Sequence, residues 1–351
     1  MSQVCFAFSS FSTPPIFTVT RSFVCNFVGK KNSNMLKTNS LRIARTPLKT
    51  LFPSIVRFVH NTNGLLDYDI LEPKQKSHIP PAIFLHGLLG NRRNNKSACR
   101  MLAERLQTPF ILPDLRNHGT SFHAEPFTYK TMTDDLNFLI DNLPESIPKD
   151  EGFIILGHSM GAKVAMIHAL RHPDQVKGVV SVDNIPYVNP DRSLDTFEKF
   201  HISIRFILNC IKKHPEWTLS DLKKHMMKWV EPSELITDYW LANITRRGGV
   251  LTTKVPLEMI NNSIEQVLDW KLEDYGDLEE YAHQKNMPPL TIIRANYSKI
   301  VGTDIHKHAI QKYFPDYEIA PIDCGHWVVT EKRHEFVKIV EDWAFRRFGP
   351  V

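Results

Sequence analysis

Gly157-His158-Ser159-Met160-Gly161 has the form G-x-S-x-G, and it lies between an apolar run from Phe153 and the helical pattern AKVAMIHAL. That spacing suits a serine nucleophile on a sharp strand-to-helix turn, with Oγ raised above the edge of a sheet. Such a turn leaves no room for side chains beside the serine, hence the two glycines. The helix that follows aims its N-terminus at the site, where backbone N–H groups and the dipole favour a developing anion. Ala162 and Ala165 are small enough to let that helix lie close to the sheet.

Acyl chemistry at Ser159 needs an anion hole, a base and an acid. His86-Gly87-Leu88 closes an apolar run at 82–87, so the N–H groups of Leu88 and Met160 are the expected oxyanion donors. The base is expected on a loop after the last strand, and His326 in DCGHWVVT is the histidine there. His334 falls in or near the closing helix, while His118 and His158 read as structural or site-lining. The acid has two candidates. The loop after strand 289–296 reads Asn296-Tyr297-Ser298-Lys299, without a carboxylate, and Asp304 beyond it suits a helix cap. Asp183 directly follows the strand at 178–182, from which a carboxylate can hold the imidazole tautomer and stabilise the imidazolium. Asp183 is preferred over Asp304.

These residues need a scaffold that gathers strand ends. Short apolar runs at 65–71, 82–87, 110–115, 153–157 and 178–183 alternate with helical patterns at 98–106, 127–143 and 160–171. The alternation predicts parallel βαβ units covered on both faces, an α/β fold with a mostly parallel sheet. The Pro/Asn-rich stretch NIPYVNPDRS breaks it, and residues from about 193 to 284 read as helices only. Strands at 289–296 and 317–324 and a helix at 335–348 then complete the pattern. The expected organisation is a leader over 1–64, a core over 65–186, a helical cap inserted at 187–285, and the rest of the core over 286–351.

Hydrophobic residues make up 42% of the 351 and charged residues 23%, the balance of a globular protein. The net charge of +5 is unevenly spread: residues 1–66 hold eight Lys and Arg and no acid. Without those eight, 35 basic residues face 38 acidic ones, which argues against a nucleic-acid partner. An acid-free, basic, Ser/Thr-rich start has the composition of a mitochondrial transit peptide, and the part from Met35 fits best. No basic region precedes the first apolar residues, as a secretory signal would require. No apolar run is long enough for a transmembrane helix. Cys99, Cys210 and Cys324 are too widely spaced for a disulfide framework or a metal site, so no metal is expected. Nothing in the sequence speaks to oligomeric state.

Taken together, these residues resemble the α/β-hydrolase superfamily. FLHGLLGNRRNN, LPDLRNHGTSFH, GHSMGAKVAM, VDNIP and CGHW are similar to the fungal mitochondrial ethanol acetyltransferase family and its hydrolase relatives. The resemblance covers roughly Leu65 to Phe348. It implies a triad acid after the strand that follows the nucleophile helix, matching Asp183. Relatives often carry Gly-Gly after the Met of the elbow, where this chain has Gly161-Ala162. The implied reaction is acetyl transfer from acetyl-CoA to ethanol through an acetyl-enzyme, with thioesterase and esterase side reactions and matrix location. Substrates would be acetyl-CoA, ethanol and short esters, with acetyl-CoA as acyl donor and no cofactor. The same triad would serve a serine esterase or thioesterase without alcohol transfer. A non-catalytic binding protein is a third reading, opposed by the intact Ser159 and His326. Two further expectations concern substrate contacts. Arg92, Arg93, Lys96 and Arg100 are candidates for the CoA phosphates, although such a cluster more often forms a solvated helix face. Phe206, Trp217, Trp229, Trp240 and Trp270 are candidates for an acceptor pocket, although most of them suit the cap's own core.

Overall fold

The computed structural model describes residues 56–59, 64–187, 195–268, 270, 286–302 and 307–349. Eight strands form one sheet: β1 (Val56–Val59), β2 (Tyr68–Leu71), β3 (Ala82–Leu85), β4 (Phe110–Pro113), β5 (Phe153–His158), β6 (Val176–Val182), β9 (Leu290–Ala295) and β10 (Tyr317–Ile322). Their order is β1-β2-β4-β3-β5-β6-β9-β10. β1 and β2 run antiparallel at one edge, and all pairings from β4 to β10 are parallel. The structure is thus the expected α/β fold with a mostly parallel sheet.

The central strands are apolar on both faces because both are covered. Ile83, Leu85, Phe153 and Ile155 face one apolar core, and Ala82, Phe84, Ile154 and Leu156 face the other. The first core takes in α2 (Tyr129–Asp141) and α3 (Met160–Arg171). The second takes in α1 (Arg92–Leu106) and α11 (Arg333–Phe348) with the fully buried Phe336 and Trp343. Each such buried side chain contributes roughly 1.5–3 kcal/mol, so strand identity was readable from apolar runs alone.

Two boundaries differ from those expected. Helix α1 starts at Arg92 rather than 98, because Asn91 accepts the Arg93 N–H and Asn94 returns a bond to the Asn91 N–H. The polar run RRNNKS gives no apolar period to reveal this. Residues 56–59, inside the segment expected to be leader, pair as β1 with β2, with Val56 opposite Leu71. Residues 1–55 and 60–63 of the expected leader lie outside the described residues, as does Asp304.

Between β6 and β9 the described residues hold α4 (Asp195–Lys213), α5 (Leu219–Trp229), α6 (Glu234–Leu241), α7 (Leu257–Asn262) and α8 (Ile264–Leu268). They also hold a hairpin of β7 (Ile244–Arg247) and β8 (Val250–Thr253), so this region is not helical throughout. Gly248 and Gly249 have φ of 58° and 84°, which fits the two-residue turn that joins tightly paired strands. After β9 come α9 (Lys307–Tyr313) and α10 (Val328–Glu331).

Candidate active site

Ser159 follows β5 directly and caps α3 with φ 54° and ψ −114°. A non-glycine residue held there costs about 1–3 kcal/mol. The surroundings enforce it: the Ser159 N–H donates to Val182 O at 3.0 Å. A Cβ at Gly157 would run into Gly161 O, and one at Gly161 into Leu85 O and His86 O. Both glycines of the motif are therefore fixed by backbone approaching backbone.

Asp183 follows β6 and His326 follows β10, so both reach the same sheet edge as Ser159. His326 Nδ1 donates to Asp183 Oδ2 at 2.6 Å. The carboxylate is wholly buried, and its Oδ1 accepts the Ala295 N–H at 3.2 Å. A charge-assisted bond of this length fixes the ring and leaves Nε2 as the proton acceptor. Ser159 and His326 line one cavity of about 360 Å³. The structure thus brings Asp183, rather than any residue of the 296–299 loop, to the imidazole.

Among the described residues, no acceptor meets the N–H of Leu88 or of Met160. Two buried histidines organise the Leu88 loop. His86 accepts the Leu115 N–H through Nε2 at 2.9 Å and donates from Nδ1 to Gly87 O at 2.8 Å. His118 accepts the Leu89 N–H at 2.9 Å and donates to Arg116 O at 2.8 Å. Accepting at one nitrogen requires the neutral ring. Burial agrees, holding His86 at about 4 and His118 at about 3. His158 is a third: it donates to His326 O at 2.8 Å and stays neutral, with burial taking it to about 3. Its ring also lies 4.7 Å from that of His326. His118 and His158 are structural in the sense expected, and each of the three histidines holds a backbone atom of the candidate machinery.

Two residues of the inserted region were missed from the sequence. Tyr239 on α6 donates its hydroxyl to Leu88 O at 2.7 Å, and Asn243 donates to Leu89 O at 2.8 Å. The Tyr239 ring also packs on Trp327 with centroids 4.1 Å apart. No local signal marks them, since their partners lie more than 150 positions away. Of the aromatic candidates, Trp240 alone lines the cavity, together with Phe200 and Ile236. Phe206, Trp217 and Trp270 pack on the apolar core, and Trp229 is exposed beside Lys228.

The basic cluster proves to be partly internal. Arg92 is buried and bonds Asp69 at 3.1 Å and Asp114, whose carboxylate also accepts the Arg92 N–H at 2.7 Å. Lys96 pairs with Asp69 at 2.7 Å. These two cations are committed to carboxylates rather than open to a phosphate, while Arg93 is exposed. The cysteines offer no rival nucleophile: all three described ones are buried, and burial pushes the Cys324 thiol up to about 12. Among the described residues no His, Cys, Asp and Glu group could hold a metal ion, and no helix is long and apolar enough to cross a membrane.

Comparison with known proteins agrees with this fold. Residues 80–217 match the family model of the α/β hydrolase fold. Ethanol acetyltransferase 1 of Kluyveromyces lactis is 33% identical over 76% of this chain and 73% of its own length. A probable alcohol acetyltransferase of Saccharomyces cerevisiae is 30% identical over 76% of this chain and 78% of its own. Among solved structures, a marine microorganism esterase superposes with a TM-score of 0.65 at 24% identity, covering 79% of this chain and 98% of that one.

Proposed function

The chain belongs to the α/β-hydrolase family that includes the yeast ethanol acetyltransferases, and from that premise we propose an alcohol O-acetyltransferase that makes ethyl acetate from acetyl-CoA and ethanol. The observation that carries the chemistry is the buried Asp183 carboxylate bonded to His326, with Ser159 in the same cavity. The named relatives support the choice of donor and acceptor.

In this reading His326 Nε2 takes the Ser159 proton as Oγ attacks the acetyl carbonyl. The oxyanion accepts from the N–H groups of Leu88 and Met160. Collapse breaks the C–S bond, and the departing CoA sulfur takes the proton from His326. An alcohol then loses its proton to Nε2 and attacks the acetyl-Ser159 ester; the C–Oγ bond breaks, Oγ takes the proton back from His326, and the acetate ester leaves. Asp183 holds the ring and offsets the imidazolium charge in both halves. Water competes with alcohol for the same acyl-enzyme, giving acetate, so thioesterase and esterase activities belong to the proposal. The acid-free leader supports import into mitochondria, with the targeting signal N-terminal to β1. A fluorescent fusion of residues 1–55 tests this, and diffuse cytosolic signal would oppose it.

The reaction is tested with purified protein, acetyl-CoA and ethanol, following free CoA and ethyl acetate together. Ethyl acetate that vanishes in Ser159→Ala supports the transferase. CoA release with acetate alone, at saturating ethanol, would make the protein a hydrolase.

A further inference from the structure

We infer that the mouth of the Ser159 cavity is built for the phosphate and adenine end of a CoA thioester, held by Lys199, Lys299 and Tyr297. This rests on the thioester-donor reading and deepens it. The cavity, about 360 Å³, is at the small end of the range that encloses drug-sized ligands. A CoA thioester is larger than that. With its acyl carbon at Ser159, the pantetheine arm fills the cavity along Phe200, Ile236 and Trp240. The nucleotide end is left at the opening.

The residues at that opening suit it. Lys199 comes from α4 and Lys299 from the loop after β9, so the two cations come from separate elements. Both are exposed, and neither has a hydrogen-bond or ion-pair partner among the described residues. Arg92 and Lys96, by contrast, are paired with carboxylates. Tyr297 is 73% exposed, the most exposed of the large apolar side chains described, yet it lines the same cavity. A bare aromatic face beside two free ammonium groups offers stacking to a purine and charge-assisted bonds to phosphate. Glu231 is the carboxylate on this lining, and it accepts the Ser233 N–H at 2.9 Å. The lysines outnumber it.

Calorimetric titration of the full chain with CoA, with pantetheine and with adenosine 3′,5′-bisphosphate tests the site without requiring turnover. CoA should bind the parent more tightly than pantetheine, and its affinity should fall with salt. In Lys199→Ala/Lys299→Ala the Kd for CoA should rise about tenfold, while that for pantetheine stays the same. The Lys→Arg pair should restore CoA binding. Tyr297→Ala should weaken CoA and the bisphosphate but not pantetheine. Equal affinity of the parent for CoA and pantetheine, or a double-alanine variant that binds CoA as the parent does, would overturn the site. A lysine-dependent CoA affinity without ester formation would keep the site and remove the transferase reading.

Discussion

At the scale of residues, Ser159 is held at a positive φ by neighbours that have no room to relax. Gly161→Ala places a methyl group against Leu85 O and His86 O. It should cost about 2 kcal/mol or more, read as a lower melting temperature, and no loss would contradict the packing described. Asp183→Asn keeps the shape but favours the wrong imidazole tautomer, so kcat should drop about 10⁴-fold with the fold intact. A loss of less than tenfold would remove Asp183 from the triad. Arg92→Ala leaves Asp69 and Asp114 buried without their guanidinium partner. It should destabilise by about 3–5 kcal/mol, a thermal effect that a phosphate-binding role would not produce. Ser159, Asp183 and His326 were legible because each ends an apolar run and position along the chain ranks the candidates. The burial of Arg92 was not legible, because adjacent basic residues look like a surface patch. Its partners are 23 and 22 positions away, beyond any local pattern.

At the scale of elements, the inserted region does more than cover the cavity. Through Tyr239 and Asn243, α6 and the segment after it grip the carbonyls of Leu88 and Leu89. His118 meanwhile accepts the Leu89 N–H. The peptide next to the proposed oxyanion donor is thus fixed from both sides. Tyr239→Phe removes one neutral hydrogen bond and keeps the ring on Trp327. It should lower kcat about five- to tenfold with KM nearly unchanged. An unchanged kcat would show that the loop holds its place without α6. The sequence revealed the strands and helices of the core because short unbroken apolar runs alternate with segments of helical period. It did not reveal the hairpin at 244–253, where helices on either side hid a Gly-Gly turn. Nor did it reveal β1, whose four residues lie in an acid-free tract that reads as leader.

At the scale of the whole molecule, His86, His118 and His158 are buried and neutral, and burial holds them at about 4, 3 and 3 against an ordinary 6.5. As pH falls below about 6.5, the unfolded chain binds protons at these rings before the folded one does. Their contribution to stability is therefore complete above about 6.5 and is lost progressively towards about 3. The melting temperature should fall steadily between pH 6.5 and pH 4 as these rings exert their effect. A flat profile across that window would contradict their neutral, hydrogen-bonded burial. Because the same three rings hold the Leu88 loop and the His326 backbone, loss of stability and loss of the site should coincide.

In the proposed reaction Ser159 carries the acyl group. The most direct measurement is rapid acid quenching of the protein with acetyl-CoA, followed by mass mapping of its peptides. One acetyl group on Ser159 within the first turnover, absent from Ser159→Ala and chased by ethanol, is the predicted result. Release of CoA with Ser159 unmodified throughout would contradict the account.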